Sequence, residues 1–342
     1  MNILLQGYFD RNFGDDMMMR IVMERLKDYN FYAEVSRSEL LQPFEDINNF
    51  NRGTSVPRYF DACLRVTGSG FLIRSTSGTF YTLSRIHRMS HEKRMFGVRA
   101  VIGCNVGPFK NSFAQRVSMH EIRKYDFITV RDNASAEILN ANHVKWQQGV
   151  YPDIVFSLEN GKIPPKSGDC LGISAYRRIN TDNMPLYRTL AATADDYIER
   201  TGKKVLLFAF DVEDENDLCA AHTIQQLCRR ADKTEIVCHH GSAILDGFAR
   251  CSKIVAIRFH SAVLALRMGI PLVPVTYSAK TDNVLSDLGC DKPSFSVNSV
   301  DAEALIETLK TADTPFKLPE SLIARANGHV DSFRTFLEGV KK

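Results

Sequence analysis

The sequence predicts an α/β protein made of two doubly wound, Rossmann-like domains that face each other across a cleft. Short apolar runs alternate with amphipathic segments along most of the chain, and strands that alternate with helices form parallel sheets covered on both faces. A stretch rich in Pro and Gly, GKIPPKSGD, separates two such series and is typical of a linker. The length of 342 residues fits about two domains of roughly 150 residues each.

The first series begins at the N-terminus and ends before this linker. We expect its strands at residues 2–6, 31–35, 64–67, 100–106 and 127–130. Helices are expected at 15–27, where apolar residues recur on one face behind two acids, and at 134–140.

The second series follows the linker. We expect strands at 170–175, 204–210, 235–238, 253–257 and 271–277, with helices at about 183–200, 215–230, 242–250 and 261–268. The chain therefore divides into an N-terminal domain over 1–165, a C-terminal domain over 166–315, and a helical segment over 316–342 expected to pack back on the N-terminal domain.

Composition excludes several classes of protein. Apolar residues make up 44% and charged residues 24%, which is ordinary for a globular protein, and a net charge of +3 does not indicate a nucleic-acid partner. The first residues lack the basic start of a signal peptide, and no run approaches the ~20 apolar residues of a membrane span. We expect a cytoplasmic protein whose eight cysteines, without a CxxC pair, are reduced and bind no metal.

The predicted fold indicates where a site belongs. Ligands of open parallel sheets bind beyond the carboxyl ends of the strands. The loops at those ends are 7–15, 68–70, 103–108, 131–133, 176–180, 211–215, 258–261 and 278–281.

Cationic residues follow two successive strands of the second series. Arg258 and His260 come after KIVAI, and Lys280 comes after PLVPVTY. If these strands are neighbours, the three side chains converge at one edge of the sheet, where Ser261 is expected to cap the next helix. Two cations, a titratable ring and a helix N-terminus form a pocket suited to a phosphate or carboxylate. Each cation taken alone is equally explained as a solvated surface charge.

The N-terminal loop, GYFDRNFGDD, is suited to a polar ligand. Gly7 and Gly14 let the backbone approach a ligand, while Asn12, Asp15 and Asp16 offer hydrogen bonds to sugar hydroxyls. The loop lacks the GxGxxG spacing of a dinucleotide site. Alternatively, both acids only stabilise the N-terminus of the following helix.

Two further charged features allow two readings each. Arg131 follows a strand and either binds a ligand or pairs with Asp132, while Asp132 or Asn133 caps the next helix. A basic cluster over 85–99 faces either solvent or anionic lipid. Its members are Arg85, His87, Arg88, His91, Lys93, Arg94 and Arg99.

The chain resembles the polysaccharide pyruvyl transferase family over most of its length. The resemblance rests on GYFDRNFGDD, TVRDNASAEIL, PDIVFSL and, most specifically, IRFHSAVLALRMGIPLVPVTYSAK. It implies a glycosyltransferase-B-like pair of domains that transfers the enolpyruvyl unit of phosphoenolpyruvate onto a saccharide and closes a ketal, in the synthesis of a surface polysaccharide. Phosphoenolpyruvate would be a co-substrate, and no cofactor is implied.

The resemblance also implies roles for residues. His260 would protonate the methylene carbon, because an acid with a pKa near neutrality is needed; a core histidine bonded to a backbone carbonyl is the alternative for His260. From the reading of the N-terminal loop, Asp15 or Asp16 would be the base for the acceptor hydroxyl, with Asp15 preferred. The donor would be bound by Arg258, Lys280 and Ser261 of the C-terminal domain, which is the phosphoenolpyruvate side. Arg131 would reach the donor from the N-terminal domain, which is the acceptor side. Acceptor binding falls to Gly7, Asn12, Gly14, Asp16 and Ser69.

The acceptor would be a saccharide. If this saccharide is attached to a lipid carrier, the protein would work at the inner face of the membrane. Two other functions remain open on the same fold. One is a nucleotide-sugar-dependent glycosyltransferase, which would release a nucleoside diphosphate. The other is a saccharide-binding scaffold without catalysis.

Overall fold

A computed structural model of the chain describes residues 1–52, 57–68, 71, 76–91, 95–277, 279–290 and 294–340. It divides into two compact units, which differ from the predicted continuous domains. The first unit contains Met1–Phe9, Asp15–Ser157 and Ser321–Lys342, and the second unit contains Asp10–Gly14 and Leu158–Glu320. The division precedes the predicted linker because Arg267 Nη2 binds the carbonyl of Leu158 at 2.5 Å and Asn160 Oδ1 at 2.6 Å.

The elements alternate as the sequence predicts. In chain order they are β1 (Asn2–Gln6), α1 (Phe13–Arg25), β2 (Asn30–Tyr32), β3 (Phe50–Asn51), β4 (Phe60–Val66), α2 (Thr76–His91), β5 (Phe96–Cys104), α3 (Ser112–Ile122), β6 (Phe127–Val130), α4 (Asn133–Ala141) and β7 (Gly149–Val150). There follow β8 (Cys170–Ser174), α5 (Met184–Thr201), β9 (Val205–Ala209), α6 (Asp217–Leu227), β10 (Thr234–Cys238), α7 (Ala243–Ala249), β11 (Cys251–Ala256), α8 (Phe259–Arg267), β12 (Leu272–Thr276), α9 (Ala279–Asp287) and β13 (Phe295–Ser296). The last helices are α10 (Ala302–Thr311), α11 (Glu320–Ala326) and α12 (Gly328–Val340).

Each unit contains a parallel sheet with the same pattern of strand order. In the first unit the order is β3-β2-β1-β4-β5-β6-β7, and in the second it is β10-β9-β8-β11-β12-β13. The order reverses between β1 and β4 and between β8 and β11, and a crevice opens at such a reversal beyond the carboxyl ends of the strands. The predicted doubly wound α/β class is confirmed.

The central strands are apolar because both of their faces are covered. Every residue of β8, β9 and β12 is buried, as expected where helices lie on both sides of a parallel sheet. Val205, Leu207, Val255 and Val273 belong to one core cluster in the second unit.

The last helix belongs to the first unit. Phe333 of α12 packs against Phe127 of β6 with ring centroids 5.6 Å apart, and Nδ1 of His329 lies 2.7 Å from Oγ1 of Thr129. Arg25 of α1 forms an ion pair with Asp331 at 2.8 Å. These contacts fix α12 on the sheet that the N-terminal strands build.

Candidate active site

Arg258 lies at the reversal of strand order in the second unit. It follows β11, beside β8, and β11 pairs with β12 as the sequence predicts. Its guanidinium binds Asp217 in a bidentate pair, with Nε to Oδ2 at 2.8 Å and Nη2 to Oδ1 at 2.5 Å. Nη1 binds Glu215, and the group lies 4.6 Å from the ring centroid of Tyr176. Arg258 is thus the centre of a buried ionic network.

The two carboxylates beside Arg258 keep its guanidinium charged and differ in their exposure to solvent. Burial alone would lower the pKa of Arg258, but Asp217 and Glu215 raise it well above its ordinary value, so the guanidinium stays charged. The side chain of Asp217 is fully buried, whereas that of Glu215 is 36% exposed. Glu215 is therefore the partner of Arg258 that solvent reaches, whereas the bidentate pair with Asp217 is enclosed.

His260 lies in the first turn of α8 and is 9% exposed. The backbone of Gly14 lies directly against the imidazole, and a β-carbon on Gly14 would overlap Nδ1 and Cγ of the ring. Phe259, the neighbour of His260 in sequence, is 5% exposed and contributes to the core.

The cap predicted for Ser261 is wrong. The helix begins at Phe259, two residues before Ser261, and its N-cap residue is Arg258. The Ser261 hydroxyl is fully buried and donates to the carbonyl of Arg258 at 2.6 Å. Because the helix starts earlier than expected, Ser261 lies within its first turn and stabilises that turn.

The loop Asp10–Gly14 is part of the second unit. An antiparallel bridge joins Asn12 to Asp211, and the amide of Phe13 donates to the carbonyl of Phe210 at 2.8 Å. The side chain of Asn12 donates to Asp211 Oδ2 at 3.2 Å and accepts from the amide of Gly14 at 3.1 Å. The structure thus brings Gly14, a predicted acceptor residue, to the predicted acid His260, and Asn12 holds the loop through Gly14 and Asp211.

The other predicted residues of the N-terminal loop lie in the first unit. Asp15 and Asp16 occupy the first turn of α1, where acids favour a helix N-terminus, and Asp16 is 3% exposed. A β-carbon on Gly7 would overlap Sδ of Met19 and lie 3.2 Å from the carbonyl of Val66. Gly7 therefore permits close packing where β1 ends.

Arg131 is engaged inside the first unit. It is 4% exposed, and its Nη1 donates to Asp153 at 2.6 Å while its Nε donates to Asn105 at 2.7 Å. Asp132 caps α4 through the amide of Ser135 at 2.7 Å, as predicted. The ion-pair partner of Arg131 is thus Asp153, and a β-carbon on Gly68 would lie 2.6 Å from its Nη1.

Sequence reasoning missed the acids of the loop after β9. Asp211 is fully buried, and burial raises its pKa to about 6. Asp217 and Glu215 hold Arg258. The loop 211–215 stands among the predicted strand ends, and a buried arginine requires acidic partners, so the acids of FDVEDEND were the available signal.

Two predicted site residues cannot be placed in full. Ser69 and the side chain of Lys280 lie outside the described residues. The backbone of Lys280 is in the first turn of α9, after β12. Their assignments stay predictions, as do the catalytic and binding roles of the other site residues.

The basic cluster over 85–99 separates into two kinds of residue. Arg85 binds buried Glu121 at 2.6 and 2.5 Å, and Arg99 donates to the carbonyl of Met89 at 2.7 Å. His87 and Arg88 are exposed on α2, and the side chains of His91, Lys93 and Arg94 are outside the described residues. Exposed apolar side chains share the outer surface of α2: Phe80 (67%), Tyr81 (67%) and Leu83 (39%).

The described ranges contain neither a candidate metal-binding group nor a helix that could cross a membrane. There, no three His, Cys, Asp or Glu side chains form a group that could hold a metal ion. Across these ranges, too, none of the helices combines the length and apolar character needed to cross a bilayer.

Sequence comparisons relate this chain to a protein family and to a known protein. Residues 12–279 match the sequence pattern of the family described as polysaccharide pyruvyl transferase. The amylovoran biosynthesis protein AmsJ of Erwinia amylovora is 21% identical over 351 residues, covering 95% of this chain and 77% of AmsJ.

Solved structures resemble the fold. The UDP-GlcNAc 2-epimerase of Neisseria meningitidis, bound to UDP-GlcNAc, superposes with a TM-score of 0.64 at 12% identity over 99% of this chain and 100% of that chain. Anabaena Alr3699/HepE in complex with UDP-glucose gives 0.58 at 10% identity over 100% and 98%. These likenesses confirm two Rossmann-like domains of the glycosyltransferase-B-like kind.

Proposed function

Because the chain belongs to the polysaccharide pyruvyl transferase family, we propose that it transfers the enolpyruvyl group of phosphoenolpyruvate to hydroxyls of a saccharide. Its place in polysaccharide biosynthesis agrees with the relative AmsJ, a biosynthesis protein of amylovoran. The observation that carries the proposal is the pair Arg258 and His260 at the reversal of strand order, with the backbone of Gly14 against the imidazole.

The proposed reaction moves one proton to carbon and one to phosphate. The His260 imidazolium protonates the methylene carbon of phosphoenolpyruvate, and a saccharide hydroxyl attacks the adjacent carbon. The C–O bond to phosphate then breaks, a second hydroxyl forms the cyclic ketal, and phosphate leaves with a proton. Asp15 is the proposed base for an attacking hydroxyl.

The donor carries a phosphate and a carboxylate, so several cations must hold it at fixed separation. We assign this role to Arg258, Lys280 and Arg131, with Ser261 ordering the turn that bears Arg258. Exchange of Glu215 for the donor at Arg258 is the step that the exposure of Glu215 supports. Gly7, Asn12, Gly14, Asp16 and Ser69 are proposed for the acceptor side.

The test is turnover of phosphoenolpyruvate with a panel of galactose-, mannose- and N-acetylhexosamine-terminated acceptors. Phosphate release and the mass of an added pyruvyl ketal are measured. We expect His260→Ala to lower turnover by at least about a hundredfold, the usual contribution of a general acid. His222→Ala, which changes an exposed histidine of α6, is the matched control and should retain activity.

Three results would contradict the proposal. Near-normal turnover in His260→Ala would remove His260 from the reaction. Thermal stabilisation by a nucleotide sugar and none by phosphoenolpyruvate would favour a glycosyltransferase, whereas acceptor binding without any donor-dependent product would favour a saccharide-binding scaffold.

We also propose that the protein works in the cytoplasm at the inner face of the membrane, on a lipid-linked acceptor. The support is the outer surface of α2, where Phe80, Tyr81 and Leu83 are exposed beside Arg88. The sequence of α2 contains no acidic residue. Aromatic and basic side chains on one helix surface suit the interface of an anionic bilayer.

A further inference from the structure

We propose that Asp211 is a positioning residue that holds the Asp10–Gly14 loop against His260 and, at the same time, holds Glu215 beside Arg258. The inference deepens the proposed function and rests on it, because His260 and Arg258 matter to the reaction only if that function is correct. The contacts themselves all lie within the second unit.

One carboxylate oxygen of Asp211 controls the loop. Oδ2 accepts from the side chain of Asn12 at 3.2 Å, and the other end of that amide accepts from the backbone of Gly14 at 3.1 Å. Gly14 in turn lies against Nδ1 of His260. Asp211 therefore reaches the imidazole through one side chain and one backbone amide.

The other oxygen orders the acidic loop. Oδ1 accepts from the amides of Glu213 at 3.3 Å and Glu215 at 3.1 Å. The amide of Asp211 donates to Asp217 Oδ2 at 3.1 Å, and the amide of Asp217 donates to the carbonyl of Asp211 at 2.7 Å. The two acids that bind Arg258 are thus fixed relative to Asp211.

This position calls for a carboxylate. Three donors converge on its two oxygens, and an amide there would turn an NH₂ group towards one set of them. The charged groups around it are Asp10 and Arg11 of the loop, Glu213, Glu215 and Asp217 after β9, and Arg258 after β11. Burial raises the pKa of Asp211 to about 6, opposed by Arg258 and Asn12, so the acceptor is lost as the pH falls through that value.

The experiment compares Asp211→Asn with Asp214→Asn, which removes the same charge from an exposed neighbour. The first readout needs no turnover: hydrogen exchange of the amides of Phe13 and Gly14, and the chemical shift of the His260 C2–H resonance at one pH, assigned by its loss in His260→Asn. We expect Asp211→Asn to accelerate exchange at both amides at least about tenfold, equivalent to ~1.4 kcal/mol, and to move the His260 resonance. Asp214→Asn should leave both unchanged.

The second readout is the pH profile of kcat/KM for phosphoenolpyruvate. The wild-type profile should fall below about pH 6, and Asp211→Asn should remove that inflection. Asn12→Ala removes the arm to the loop together with the proposed acceptor contact of Asn12, and it leaves the contacts of Asp211 with the acidic loop, so kcat should fall while KM for phosphoenolpyruvate is retained. Asn12→Ala also keeps the proposal testable if Asp211→Asn does not fold.

Unchanged exchange and an unchanged chemical shift of the His260 resonance in both Asp211→Asn and Asn12→Ala would overturn the proposal. If the wild-type protein does not turn over phosphoenolpyruvate, the proposed function fails on its own. The exchange and resonance measurements then still decide whether Asp211 positions the loop.

Discussion

At the scale of single residues, Gly14 is a position that leaves no room for a side chain. Gly14 follows Asn12 and Phe13, whose backbone contacts with the β9 exit fix the loop beside His260. The β-carbon of any other residue would overlap the imidazole at Nδ1 and Cγ. The requirement for glycine is therefore close approach to His260.

We expect Gly14→Ala to displace the ring or the loop and to destabilise the protein by about 1–3 kcal/mol, the usual cost of overpacking. Turnover should fall as well, because the imidazole loses its fixed neighbour. Chemical denaturation and phosphate release are the measurements. Gly161→Ala is the control, since nothing lies within 4 Å of a β-carbon there, and a Gly14→Ala protein as stable and active as this control would disprove the argument.

The cationic residues of the site were identified from the sequence, whereas the acidic residues that bind Arg258 were missed. Arg258 and His260 follow a strand that is easily recognised from its apolar run, and the order of elements alone places them at a sheet edge. The pairing of Arg258 with Asp217 and Glu215 depends on β9 lying two places from β11 in the sheet. Sequence order does not reveal that neighbourhood, so the acids were missed.

At the scale of elements, the predicted bounds are correct for some strands and wrong for others. The bounds of β1 and β6 agree with expectation, whereas the strand expected at 31–35 is limited to Asn30–Tyr32. It pairs with β1 only over Asn2–Leu4 and with the two-residue β3. Elements as short as β3, β7 and β13 have no readable periodicity.

The element whose surface predicts a partner is α2. We expect the double variant Phe80→Ser and Tyr81→Ser to lose at least about tenfold in partitioning to vesicles containing phosphatidylglycerol, because burying one such ring contributes ~2 kcal/mol. Binding should weaken at higher salt and on phosphatidylcholine alone, since Arg88 contributes electrostatically. Co-sedimentation with vesicles measures both effects.

The matched control for α2 is Phe113→Ser. Phe113 is 54% exposed on α3 of the same unit, so it tests whether any exposed ring promotes sedimentation. Equal binding by the wild type and the α2 variant would refute membrane contact through this helix. Self-association of the wild type, abolished by the same variant, would instead assign α2 to contacts between copies of the chain.

At the scale of the whole molecule, the sequence predicted two α/β bodies and a C-terminal segment that packs back on the first, but not that the N-terminal loop belongs to the second. Asp10–Gly14 belongs to the second unit and Ser321–Lys342 to the first. Both assignments depend on contacts between residues distant in sequence, such as Asn12 with Asp211 and Thr129 with His329. Local periodicity carries no information about such contacts.

The packing of α12 in the first unit buries His329 and makes the stability of that unit sensitive to acid. His329 is fully buried, and burial lowers its pKa to about 4. A histidine depressed in this way binds a proton more readily in the unfolded chain, so its contribution is complete above about pH 6.5 and is lost as the pH falls towards 4. Between pH 7 and pH 5 the linkage amounts to about 2 kcal/mol.

We therefore expect the His329 contribution to the free energy of unfolding to fall by about this amount from pH 7 to pH 5, so that stability falls further over this range in the wild type than in His329→Gln. His329→Gln should be the less stable protein at pH 7, because the contact with Thr129 is altered. The raised pKa of Asp211 acts in the opposite direction, so the comparison is the difference between variants at each pH. Denaturation of His329→Gln and of the exposed control His222→Gln at both pH values measures it, and equal pH dependence in the two variants would show that burial of His329 is not linked to folding.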